Sequence, residues 1–203
     1  MKVPAWLPIA SNRRYYRALA RVDRLIYDFI DAKEKESDGS DDLLSMLLQV
    51  RDEDGSRMDR KQVRDEAITI FLAGHETTAI TLSWTMYLLA QHPEIQEKAA
   101  NGSPEYVSHV IHESMRLYRP AYAIGREALE DCEIGGYRVP AGTTIFMAPW
   151  VIHRDARFFD DPMTFRPERW ENDFAKTLPR FAYLPFGGGP RIWIGNNFVL
   201  VVA

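Results

Sequence analysis

Ala73-Gly74-His75-Glu76-Thr77-Thr78 lies in the middle of the most apolar helical segment of the chain. Glycine inside a helix costs about 1 kcal/mol relative to alanine. Adjacent threonines can turn their hydroxyls onto carbonyls of the preceding turn and bend the helix. A carboxylate beside them on a buried helix is costly unless it is paired or used. Either Glu76 serves chemistry, or Gly74 packs helices and Glu76 is solvated. The zincin reading fails, because Ala79 stands where that helix needs its second histidine.

Glu113-Ser114-Met115-Arg116 places opposite charges one helical turn apart. Taken alone, this is an exposed ion pair of little worth. His109 and His112 share the same spacing, but a histidine pair with no third ligand is poor evidence for a metal. Phe186-Gly187-Gly188-Gly189-Pro190-Arg191 precedes Ile192-Trp193-Ile194-Gly195. Its glycines allow the backbone to approach a flat or bulky group, and an arginine can hold an anion through two N–H bonds. The Walker ending that would make it a nucleotide cradle is absent, and a glycine-rich turn before a helix is the plainer alternative.

These residues need elements to position them. Periodicity predicts a helix over 10–34 with an apolar stripe of Tyr16, Leu19, Leu25, Ile26, Phe29 and Ile30. Arg13, Arg17, Arg21 and Arg24 share another face, with Arg14 beside them. That face is either solvated or able to dock an acidic partner protein. A short helix follows around Leu43–Val50 and a turn at 52–56. A long helix is expected from Asp59 to Gln91, another from Pro93 to Ala100, and a third from Glu105 to Tyr118. Beyond Pro120 the grammar changes. Residues 133–139 read as a hairpin around Gly135-Gly136, 143–147 as a strand, 153–190 as irregular, and a helix is expected to begin at Asn197.

The chain has 203 residues, 46% hydrophobic, with a net charge of −4 and a single cysteine, Cys132. That length suits one large domain or two small ones. The charge gives no electrostatic reason to bind nucleic acid. One cysteine excludes a disulfide framework and a cysteine-rich zinc site, and is compatible with a reducing cytoplasm. No apolar run is long enough for a signal peptide or a transmembrane helix.

In kind, order and approximate spacing, the run Ala73–Thr78, Glu113–Arg116, Phe165-Arg166-Pro167-Glu168-Arg169-Trp170 and Phe186–Gly195 resembles the cytochrome P-450 family of haem-thiolate monooxygenases. Pro140-Ala141-Gly142-Thr143 and His153-Arg154-Asp155 are also similar to that family. The resemblance covers essentially the whole chain and matches the C-terminal half of a full-length member. It implies an α+β fold, mainly α with a small β part: helices over 1–120, including the long distal helix, then hairpins, meander and proximal haem loop over 121–203. It implies haem as cofactor, a small apolar organic substrate receiving one oxygen atom of dioxygen, and a ferredoxin or reductase as electron donor. Under it, Glu76 and Thr77 relay protons, and Glu113, Arg116 and Arg169 form a structural triad. Arg126 and Arg191 pair with haem propionates, Phe186 and Gly189 shape the proximal loop, and Ala73, Tyr122, Ala123 and Ile124 line the substrate pocket.

At the position of the family's iron-ligating cysteine this sequence has Trp193. Indole offers an N–H donor and no lone pair for iron, so no metal ligand is assigned. The family's N-terminal part is expected to be missing, and the apolar end Phe198–Ala203 to lack partners. The expectation is therefore a monooxygenase impaired by truncation and by Trp193. The alternatives are a non-catalytic fragment or engineered scaffold, and a helical interaction module that uses the Arg13–Arg24 face.

Overall fold

A computed structural model of the chain describes Leu7, residues 9–35 and residues 42–193. It is mainly helical with a small sheet part, and its backbone falls into two compact units, Met1–Ala73 and Gly74–Ala203.

The first unit holds α1 (Ala10–Lys35), α2 (Leu43–Gln49) and the start of α3 (Arg60–Gln91). Asp42 caps α2 by accepting the Ser45 N–H at 2.9 Å, which satisfies a donor the helix cannot. Arg64 pairs with Asp23, and Arg60 with Asp31 and Glu34, so α3 is tied to α1 by charge. The expected apolar stripe of α1 is largely not a core face. Ile30 is buried, but Leu25 and Phe29 are 58% and 62% exposed. Period alone says which side chains share a face; burial needs an opposing surface. Leu25, Ile26 and Phe29 instead border an open apolar groove completed by residues such as Leu43, Leu47, Ile70 and Phe71.

The second unit takes the rest of α3, then α4 (Pro93–Asn101) and α5 (Pro104–Leu117). Proline opens both short helices, where its missing N–H is no loss. Leu88, Ile95, Tyr106, Val110, Leu117 and Phe165 form the core cluster here. The hydroxyls of Thr81 and Thr85 are buried by donating to the carbonyls of Thr77 and Thr81 at 2.9 and 2.8 Å. The apolar run of α3 is not buried all round. Phe71, Leu72, Met86 and Tyr87 are exposed, so one stripe carries the packing.

β1 (Ile124–Glu127) pairs antiparallel with β4 (Thr144–Met147), Ile124 opposite Met147. β2 (Cys132–Ile134) pairs with β3 (Tyr137–Val139) around Gly135 and Gly136, whose positive φ values of 58° and 83° suit a hairpin turn. The sequence pattern does not reveal β1. Ile124-Gly125-Arg126-Glu127 has no alternation, and its strand character comes from pairing with β4. α6 (Pro149–Ile152) directly precedes the segment expected to be irregular, which contains a kinked 3₁₀ helix at Pro167–Asp173 and α7 (Phe174–Thr177). The helix expected from Asn197, with the apolar end Phe198–Ala203, lies outside the described residues.

Candidate functional site

α5 presents Glu113 and Arg116 on its buried side, and both side chains are fully inaccessible to solvent. The plain expectation of an exposed pair is therefore overturned. Arg116 Nε donates to Glu113 Oε2 and Nη2 to Oε1, each at 2.8 Å. Arg116 Nη1 donates to the carbonyls of His153 at 2.8 Å and Pro162 at 2.6 Å, and Nη2 also to that of Thr164 at 3.1 Å. Every N–H of the guanidinium thus has an acceptor, the condition under which a buried cation is tolerated. Glu113 further accepts from the Arg166 amide at 3.1 Å, Arg169 Nε at 3.4 Å and Trp170 Nε1 at 3.0 Å. One carboxylate and one guanidinium thereby gather the chain around 153, 162–164 and 166–170 onto α5.

The cluster reaches on to the glycine-rich loop. The His153 carbonyl is held by Arg116, and its ring Nε2 accepts the Leu184 amide at 2.9 Å. His153 is fully buried, and desolvation, aided by the nearby Arg119 and Arg116 charges, pushes its pKa down to about 3. It is a neutral strut. His112 is likewise held down to about 4 by burial, with its Nδ1 2.9 Å from the Tyr183 hydroxyl. Neither His109 nor His112 belongs to a group that could hold a metal among the described residues.

The loop itself turns tightly. Gly187 N–H donates to the Leu184 carbonyl at 3.3 Å, and Trp193 N–H to that of Phe186 at 3.0 Å. The Phe186 and Trp193 rings lie 5.9 Å apart, tilted by 31°. Gly188 is closely packed: an added Cβ would meet the Phe181 ring at 3.0 Å and Leu184 at 3.1 Å. Gly189 adopts φ 75°, where glycine is unstrained. The backbone of Arg191 ends a 3₁₀ turn closed by Ile192 N–H on the Gly189 carbonyl at 3.0 Å.

The other predicted residues stand apart from this cluster. Glu76 is exposed on α3, with Ala73 and Thr77 half-buried. Arg126 is exposed on β1, and its Nη1 donates to the neighbouring Gly125 carbonyl at 2.8 Å. Tyr122 is exposed and Ala123 and Ile124 half-buried at the entry to that strand. Cys132 is exposed on β2.

Sequence reasoning missed Trp170, His153, Tyr183 and Arg119 as members of the buried polar region. The first two stood inside quoted motifs but carried no stated role. Arg119 is almost wholly buried, its Nε and Nη1 have no hydrogen-bond partner among the described residues, and desolvation lowers its pKa to about 10.

Comparison with known proteins gives the family of the chain. The cytochrome P450 family model matches residues 1–201. This chain belongs to the cytochrome P450 family. It is 37% identical to a cyclooctatin synthase of Streptomyces melanosporofaciens over 98% of this chain and 47% of the relative. It is 35% identical to a pentalenene oxygenase of Streptomyces avermitilis, over 95% of this chain and 46% of that protein. Among solved structures, a retinoic acid-bound cyanobacterial CYP120A1 superposes with a TM-score of 0.84 at 28% identity, covering 98% of this chain and 49% of the other. The haem domain of cytochrome P450DA gives 0.83 at 29% identity, over 93% and 46%. The P450 chain described here thus spans about half the length of the relatives it matches. No helix among its described residues is long and apolar enough to cross a membrane.

Proposed function

We propose that this chain is the part of a cytochrome P450 monooxygenase that carries the structural triad and the proximal haem loop, and that its loop is unable to provide the thiolate. Family membership implies haem, which when bound supplies the chemistry of activating dioxygen to oxygenate a small apolar organic substrate, with electrons from a ferredoxin or reductase. Glu113, Arg116 and Arg169 fill the triad role, which their shared burial and hydrogen bonds support. Arg126, exposed and with its guanidinium on its neighbour's carbonyl, suits a propionate, as does Arg191 by its place in the motif. Phe186 and Gly189 shape the loop. Ala73, Tyr122, Ala123 and Ile124 are assigned to the substrate pocket, and Glu76 and Thr77 to holding and passing protons. The assigned localisation is cytoplasmic.

The donor set tests whether haem fits as the family holds it. A thiolate is the family's axial donor. In the loop's ligand position stands Trp193, whose half-buried indole packs near Phe186 and has no lone pair to give. Cys132 lies on the β2–β3 hairpin rather than in that loop. The anion-binding and loop residues suit the group; the axial donor does not. That single position carries the reading of a P450 scaffold impaired in monooxygenation.

Titration with haem, followed by absorbance, tests this beside the Trp193→Cys variant. The unaltered chain should bind weakly, show no thiolate-type ferrous–CO band and form no product above free haem. The variant should gain the band. A thiolate-type band in the unaltered chain would overturn the reading of Trp193.

A further inference from the structure

The N-terminal half of α1 breaks the local charge rules of a helix. Arg13, Arg14, Arg17 and Arg21 are exposed, and Ala10–Val22 contains no acidic residue. Cations near a helix N-terminus oppose the helix dipole, and like charges one turn apart repel. Two other arginines of the same unit, Arg60 and Arg64, are neutralised. Arg64 takes Asp23, and Arg60 takes Asp31 and Glu34, the carboxylates of the later part of α1. Among the described residues no carboxylate comes within ion-pair range of the arginine row. A chain with net charge −4 therefore concentrates uncompensated positive charge on one helix side.

The row is also shaped. Arg13, Arg14, Arg17 and Arg21 border a shallow cleft with Ala10 and Ala18, so small side chains lie between the guanidinium groups. Arg17 Nε donates back to the Arg13 carbonyl at 3.3 Å, which lays its stem along the helix. Tyr15, Leu19, Val22 and Ile26 lie on the opposite side of α1, and the exposed Leu25 and Phe29 continue the Arg13, Arg17 and Arg21 row toward the C-terminus of the helix. Planar guanidinium forks match carboxylates two N–H bonds at a time.

From these observations we propose that the arginine side of α1 docks an acidic segment of a partner protein, with carboxylates spaced about one helical turn apart. Docking relieves both the dipole conflict and the repulsion, which explains why the row is carried without internal acids. The surface lies wholly on α1 and does not depend on the haem reading.

The test is fluorescence anisotropy with a fluorescein-labelled alanine peptide carrying glutamate at every fourth position, and its glutamine counterpart as control. The glutamate peptide should bind, weaken with added salt, and lose at least about tenfold in affinity with R17E/R21E. The charge-matched variant K61E/R138E, altered at exposed sites elsewhere, should bind as the unaltered chain does. Circular dichroism should show R17E/R21E folded; if not, R17Q/R21Q replaces it, with a smaller loss expected. Equal binding by the arginine variants, or equal loss in K61E/R138E, overturns the proposal. So does arginine-dependent binding to phosphatidylserine-containing vesicles with no binding of the peptide, which would make the surface a lipid site.

Discussion

Arg116 and the arginines of α1 are the same side chain in opposite circumstances. Arg116 is fully buried, with every N–H accepted, and its neighbours are a carboxylate and backbone carbonyls from distant parts of the chain. Arg17 and Arg21 are exposed, with no carboxylate in range among the described residues. Burial turns a charge into architecture, because leaving any of its partners unmet is expensive there. Exposure leaves the charge free to act on whatever approaches, at little consequence for the fold. Stability and recognition are thus separated between two regions by solvent access alone.

The largest effect expected from breaking this contrast is Arg116→Ala. It strands the buried Glu113 and the carbonyls of His153, Pro162 and Thr164, and should cost about 3–5 kcal/mol. A thermal melt followed by circular dichroism checks it, and an unchanged midpoint would refute the structural role of the cluster.

Acid should attack the same region. His153 and His112 stay neutral in the folded chain down to about 3 and 4, against an ordinary value of 6.5. The unfolded chain therefore binds more protons in that window, so stability is complete above about pH 6.5 and falls as pH is lowered toward 4. The loss should reach a few kcal/mol, because a proton taken up only on unfolding costs the folded state about 1.4 kcal/mol for every step of one in pH. Melting temperature against pH measures it, and His112→Gln should flatten the slope.

Gly188→Ala should come next, at about 1–3 kcal/mol, since its Cβ must displace the Phe181 ring and Leu184. The readout is the denaturation midpoint in urea. Arg60→Ala removes exposed pairs with Asp31 and Glu34 and should cost under about 1 kcal/mol. Arg21→Ala should stay within about 0.5 kcal/mol by the same measurement. A large loss there would show that the α1 row stabilises the fold, and would erase the contrast with Arg116.

The helices α1 to α5 were legible because their signals are local. Pro93 marks the start of α4, the expected start at Glu105 misses that of α5 by one residue, and the long apolar run of α3 was found to within a residue or so at its N-terminus. β1 was not legible, because its pattern is supplied by β4. The burial of Glu113 and Arg116 could not be read from their spacing, which fits an exposed pair equally well. Only the family resemblance pointed inward, and the roles of His153, Trp170 and Tyr183 were missed even so.

By itself the sequence determined the helical periods, the glycine turns and the order of motifs. These are properties of residues and near neighbours, governed by backbone sterics and side-chain chemistry. The tertiary structure alone decided which charges lost their water, which apolar stripes met an opposing surface, and which carbonyls from residues 153–164 reach one guanidinium. Those outcomes depend on contacts between segments far apart in the chain, and desolvation cannot be assigned until the surfaces that exclude water are in place.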